Sequence, residues 1–123
     1  MVKPLFVIGL GSAVGGICRY LVQVYIGKYT PLTFPVGTLV VNLTGCFLIG
    51  ILFGLSGKYA WMTIDWRLFL ITGLCGGYTT FSSFSLESLT LLRQGNFLYF
   101  SLYVLGSVAV GILATVAGAA LIR

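Results

Sequence analysis

The sequence predicts an all-α membrane protein: one domain, residues 1–123, of four transmembrane helices with the third broken near mid-membrane. Three observations predict it. The chain is too apolar for water: 59% of its 123 residues are hydrophobic and 7% are charged, against about 25% charged in a soluble domain. Its mean hydropathy is +1.08. Four apolar runs, at 5–26, 36–55, 66–93 and 97–122, each reach the roughly 20 residues that a helix needs to cross a bilayer. The third run contains GLCGGYTTFSSFS at 73–85, where plain hydrocarbon would be expected.

The first run is expected to stay as a span rather than act as a signal peptide. It exceeds an apolar signal core in length, it carries Arg19, and more spans follow. Gly11 and Gly15, and likewise Ser12 and Gly16, stand four apart, a spacing that lets two helices approach closely. Gly9-x-Gly11 is no dinucleotide loop, because no strand or βαβ unit surrounds it. The connection at 27–35, GKYTPLTFP, stops the helix with a glycine and two prolines. In the second span Thr38 and Asn42 share a face one turn apart, and Gly45 follows on that side.

Residues 57–65 lead into the third span. Gly76 and Gly77 have poor helix propensity, and the hydroxyls of Thr79, Thr80, Ser82, Ser83 and Ser85 compete for backbone hydrogen bonds. The expected result is a broken helix with carbonyls freed around 75–80. Such carbonyls suit a hard cation, and the half-helix starting near Phe81 directs its positive dipole end at the same place. Beyond the break, Ser83, Glu87 and Thr90 lie on one stripe, with Phe81 and Phe84 on its neighbour. Residues 94–96 form a tight turn. In the fourth span Tyr103, Ser107 and Gly111 align at intervals of four, with Thr115 next. These polar stripes either bind helix to helix by hydrogen bonds or line a wet path.

Composition excludes several functions. The net charge of +5 is scattered and makes no patch for nucleic acid. Cys18, Cys46 and Cys75 all fall inside spans, and the chain has no histidine, so no metal-ligand spacing exists and the cysteines read as packing residues. The only acids are Asp65, expected in a loop, and Glu87. With no carboxylate pair in the span and no serine–histidine pair, the chain is not expected to be an enzyme. The polar groups suit a small anion. Asn42 offers amide N–H, Ser83 and Ser107 offer O–H, and Phe81 and Phe84 can present electropositive ring edges.

Loop charges decide orientation. Lys3, Lys58, Arg67 and Arg123 fall on one side, and Lys28, Arg93 and Arg19 on the other. Four against three is almost no bias. The chain could insert both ways up, and the two orientations could pair as an antiparallel dimer.

The run GGYTTFSSFS at 76–85 resembles the G-G-x-T-T-F-S-T-F-S signature of the Fluc/CrcB fluoride channel family. GTLVVNL at 37–43 is similar to that family's second-helix motif, and Gly15-x-x-x-Arg19 and Gly106-Ser107 also match. The resemblance covers the chain from end to end. It implies an antiparallel dual-topology homodimer with two fluoride pores in the cell's inner (plasma) membrane, passively exporting cytoplasmic fluoride to relieve toxicity. It implies a structural, untransported sodium ion held by the carbonyls of Gly76 and Thr79 from both subunits. Phe81 and Phe84 would line the pore and Asn42 would donate in it. Ser83, Tyr103, Ser107 and Glu87 would flank the polar path, and Arg19 would stand at a pore entrance. Three residues depart from the pattern: Tyr78 where leucine is frequent, Ser83 where threonine is frequent, and Gly111 where some relatives carry serine. The rival class is a small four-helix, dual-topology exporter of organic cations. Those pumps centre on a first-helix glutamate, whereas this first span has Arg19 and no acid.

Overall fold

The structure, a computed structural model, describes residues 2–31 and 33–122. Arg123, counted in the charge balance above, lies outside the described residues. Every regular element among the described residues is helical. Helix α1 (Val2–Gly27), α2 (Val36–Lys58) and α6 (Phe97–Ala120) are each long and apolar enough to cross a membrane. At 1.5 Å per residue the 23 residues of α2 reach about 35 Å, more than the ~30 Å hydrocarbon core.

The expected third span is two helical pieces. Its first half starts with α3 (Ile64–Arg67), widens into a π-helical stretch (Leu68–Cys75) and ends in the single turn α4 (Gly76–Tyr78). Thr79 and Thr80 are extended, and α5 (Phe81–Arg93) follows. The break therefore falls within the segment that the glycines and hydroxyls mark. Two details differ from expectation. Helix α2 continues past residue 55 to Lys58, where the hydroxyl of Ser56 folds back onto the Leu52 carbonyl at 2.8 Å and the lysine favours the negative end of the helix dipole. Asp65 lies not in a loop but in the first turn of α3, where its charge suits the helix start. It pairs with Lys3 at 2.9 Å.

The α5–α6 turn closes as a Schellman motif. Gly95 takes φ +73°, a backbone that favours glycine. The Asn96 N–H bonds to Leu91 O at 3.0 Å and the Gly95 N–H to Leu92 O at 3.0 Å. The Asn96 side chain then caps α6 by accepting from the Tyr99 N–H at 3.2 Å.

Glycine decides which helices touch. Gly11 and Gly15 of α1 are buried against the first half of the third span. A Cβ on Gly11 would strike Phe69 O and stand 2.9 Å from Gly73 Cα, and one on Gly77 would stand 2.9 Å from Ser12 Cα. Two glycine pairs four apart, 11/15 and 73/77, thus bring backbone against backbone. Helix α2 packs most extensively on α6, where a Cβ on Gly118 would strike Phe47 O. A small core of Leu52, Met62 and Cys75 sits among α2, the π stretch and the loop that precedes α3. Outside, Phe6, Leu10, Ile17, Leu105 and Val116 are exposed, as suits a surface solvated by lipid. Trp61 and Trp66 meet edge to face at 6.5 Å near the end of α2 and the start of α3.

Candidate functional site

The break leaves the backbone of Thr80 without helical partners, and a side chain from another helix replaces them. Asn42, on α2, donates Nδ2–H to Thr80 O at 3.0 Å and accepts the Thr80 N–H on Oδ1 at 2.8 Å. One amide thereby satisfies a donor and an acceptor that would otherwise be orphaned. The other Asn42 N–H is not engaged by Thr80. Around the same bend the Thr80 hydroxyl caps α5 by accepting from the Ser83 N–H at 3.2 Å.

The sequence suggests freed carbonyls throughout 75–80, and the structure narrows that set. Cys75 O accepts both the N–H and the hydroxyl of Thr79, each at 2.9 Å. Gly77 O accepts from Arg19 Nε at 3.4 Å, and Thr80 O is held by Asn42. Among the described residues no side chain donates to the carbonyls of Gly76 or Thr79. Gly76 is exposed at the surface of the chain. Backbone carbonyl oxygens are hard ligands of the kind that a hard cation takes.

Beside the break lies a cavity of about 420 Å³ between α2, the third span and α6, lined by Asn42, Cys46, Thr79, Phe81, Phe84 and Ser107 among others. The Ser107 hydroxyl is a buried side-chain polar atom without a hydrogen-bond partner, alone in this among the described residues. Phe81 and Phe84 are 5.7 Å apart, tilted by 45°, and Phe84 packs on Tyr103 at 5.1 Å. Phe81 is 80% exposed, so this chain alone does not cover it.

A second, more polar cavity of about 450 Å³ contains Ser83 and Glu87, with Gln23, Thr38 and Thr90. The expected 83/87/90 stripe therefore does share a face. Glu87 accepts from the Thr38 hydroxyl at 3.0 Å and from the Tyr103 hydroxyl at 3.1 Å. Thr38 in turn accepts from Gln23 Nε2 at 3.0 Å. Gln23 is the participant that sequence reasoning missed. Its only signal was an amide near the end of an apolar run.

The predicted site residues thus fall into groups. Asn42, Phe81, Phe84 and Ser107 line the first cavity, and Ser83 and Glu87 line the second. Tyr103, fully buried, stands between them, touching Phe84 and Glu87. Gly76 and Thr79 flank the break. Arg19 lines neither of these cavities and reaches the break only through Gly77 O. Thr115 acts as helix glue, donating to Cys46 O at 3.1 Å and Gly111 O at 3.2 Å.

A family profile described as "CrcB-like protein, Camphor Resistance (CrcB)" matches residues 6–119. The chain is 44% identical over 118 residues to a protein of Azobacteroides pseudotrichonymphae named fluoride-specific ion channel FluC, covering 96% of this chain and 94% of that one. It is 47% identical over 116 residues to the FluC of Flavobacterium psychrophilum, covering 94% of each. A third relative with the same name, from Phocaeicola vulgatus, is 45% identical over 116 residues, covering 94% of this chain and 95% of that one.

Proposed function

The chain belongs to the CrcB-like family, and from that membership we propose that it is a fluoride-specific ion channel exporting cytoplasmic fluoride passively across the inner membrane. Relatives that bear the channel's name match nearly its full length. The structural observation that carries the reading is Ser107. A buried hydroxyl without a partner costs about 1–3 kcal/mol, a penalty that an anion accepting its proton would remove. The hydroxyl stands in a cavity with the Asn42 amide and the rings of Phe81 and Phe84. Small, strongly hydrated fluoride needs such donors to replace its water, and a cavity lined by no Lys or Arg side chain lets it leave again. An inside-negative potential of 100 mV drives an anion outward by ~2.3 kcal/mol, roughly fiftyfold in concentration. No covalent chemistry is required, and no residue has a catalytic role.

The working unit in this proposal is an antiparallel, dual-topology homodimer of four-span chains with two pores. Three features support it: the almost balanced loop charges, the exposed ring of Phe81 and the exposed backbone at Gly76. Pairing two breaks would bring four carbonyls, from Gly76 and Thr79 of each chain, around one sodium ion. Bound there, sodium would supply a fixed positive charge that joins the subunits and favours a nearby anion.

Efflux from liposomes loaded with fluoride, chloride or a lipophilic organic cation tests the function. Fluoride should leave rapidly and the other two should stay. Chloride release at a similar rate, or cation release alone, would overturn the reading. Cysteine tags at the chain ends, with Cys18, Cys46 and Cys75 replaced, should label from both sides of the membrane. Labelling from one side only would remove the antiparallel dimer.

A further inference from the structure

We propose that Gln23 is a positioning residue for conduction, completing as its outermost donor the hydrogen-bond chain that holds the Glu87 carboxylate. The flux part of this inference rests on the channel reading above. A hydroxyl both donates and accepts, so a chain of them has no direction until one end is set. Here the accepting Glu87 oxygen sets it, and Gln23 completes it. Gln23 Nε2 only donates, so Thr38 Oγ1 accepts on that side at 3.0 Å. The single proton of Thr38 then goes to Glu87 Oε2 at 3.0 Å, while Tyr103 donates to Oε1 at 3.1 Å.

The amide orientation matters. Turned over, Gln23 would present its oxygen to Thr38 and draw the hydroxyl proton away, leaving a carboxylate oxygen facing a lone pair. The donor orientation is the one consistent with Thr38 giving its proton to Glu87 Oε2. Thr38 is 2% exposed, so its hydroxyl relies mainly on the protein groups packed around it. Without that donor the Thr38 hydroxyl is free to turn to a carbonyl one turn back. Glu87 then keeps one donor instead of two. Its carboxylate is released into the second cavity, where a mobile negative charge opposes an anion. Tyr103 links this to the first cavity, because the same phenol that holds Glu87 packs on Phe84 at 5.1 Å.

The test compares Gln23→Met, similar in length without an N–H, with Gln23→Glu, similar in shape but accepting only. Both should form dimers and lower fluoride efflux by about fivefold, the worth of one ordinary hydrogen bond. In a Thr38→Val or Glu87→Gln background, Gln23→Met should lower efflux no further. A full independent loss in both backgrounds would overturn the proposal, since uncoupled sites multiply their effects. Infrared spectroscopy provides a reading without flux. Asp65 and Glu87 are the only acidic side chains in the chain, so in an Asp65→Asn background the difference spectrum against Glu87→Gln separates the Glu87 carboxylate band from that of the terminal carboxylate. The Glu87 band should shift in Gln23→Met, and an unmoved band would refute the coupling. Wild-type protein that releases no fluoride would strike the channel reading instead and leave the infrared test standing.

Discussion

The amide of Asn42 pairs with the backbone of Thr80 at both ends, 3.0 Å to the carbonyl and 2.8 Å from the N–H. A residue 38 positions away thus takes the place that the next turn of helix would have filled. Asn42→Asp keeps the shape but sets a carboxylate oxygen against the Thr80 carbonyl. We expect it to abolish most fluoride efflux and to lower stability by about 1–3 kcal/mol, read by thermal unfolding in detergent. Normal efflux from the surviving dimers would mean that Asn42 only holds the break.

Ser107→Ala should separate function from stability. Removing an unpaired buried hydroxyl relieves a desolvation cost, so the protein should be as stable as wild type or slightly more so. Fluoride efflux should nevertheless fall, because the donor is gone, and Ser107→Thr should restore part of it. Equal efflux from wild type and Ser107→Ala would strip the hydroxyl of a role in conduction.

The two phenylalanines should respond differently to isoleucine. Phe84 packs between Phe81 and Tyr103, so Phe84→Ile should cost about 0.5–1.5 kcal/mol of aromatic packing as well as efflux. Phe81 is exposed in the single chain, so Phe81→Ile should leave chain stability intact and still reduce efflux through the lost ring edge. Unchanged efflux in both would reduce the pair to packing.

Sodium dependence should follow the backbone rather than the acids. Long dialysis into an organic-cation buffer should lower efflux, and restoring sodium should recover it. Glu87→Gln should leave the dependence on sodium in place, because its carboxylate is engaged by Thr38 and Tyr103. Gly76→Val should damage it because a side chain on this exposed glycine would stand where the proposed partner chain must approach. Full activity after complete removal of sodium would end the cation proposal.

Much of this architecture is written locally. Apolar runs set α1, α2 and α6. Two prolines interrupt the chain before α2, and Gly95 shapes the turn before α6. The GGYTT run marks the break because weak propensity and competing hydroxyls act over a few residues. The π-helical stretch left no such mark, since LFLITGLC suits an α-helix equally well. Asp65 reads as a loop residue in the sequence because a four-residue helix ahead of an apolar run looks like the end of a loop.

The sequence by itself determined that the chain is helical, that its long apolar helices suit lipid, and where the helix before Phe81 breaks. It also marked Asn42, Glu87 and Ser107 as polar groups that need partners. Only the tertiary structure decided who those partners are. It set Gly11 and Gly15 against Gly73 and Gly77, Asn42 against Thr80, and Glu87 against Thr38 and Tyr103, and it left Ser107 with none. The physical reason is range. Propensity and hydropathy act between neighbours along the chain, whereas a hydrogen bond between helices depends on how each is rotated and how closely the glycines let them approach.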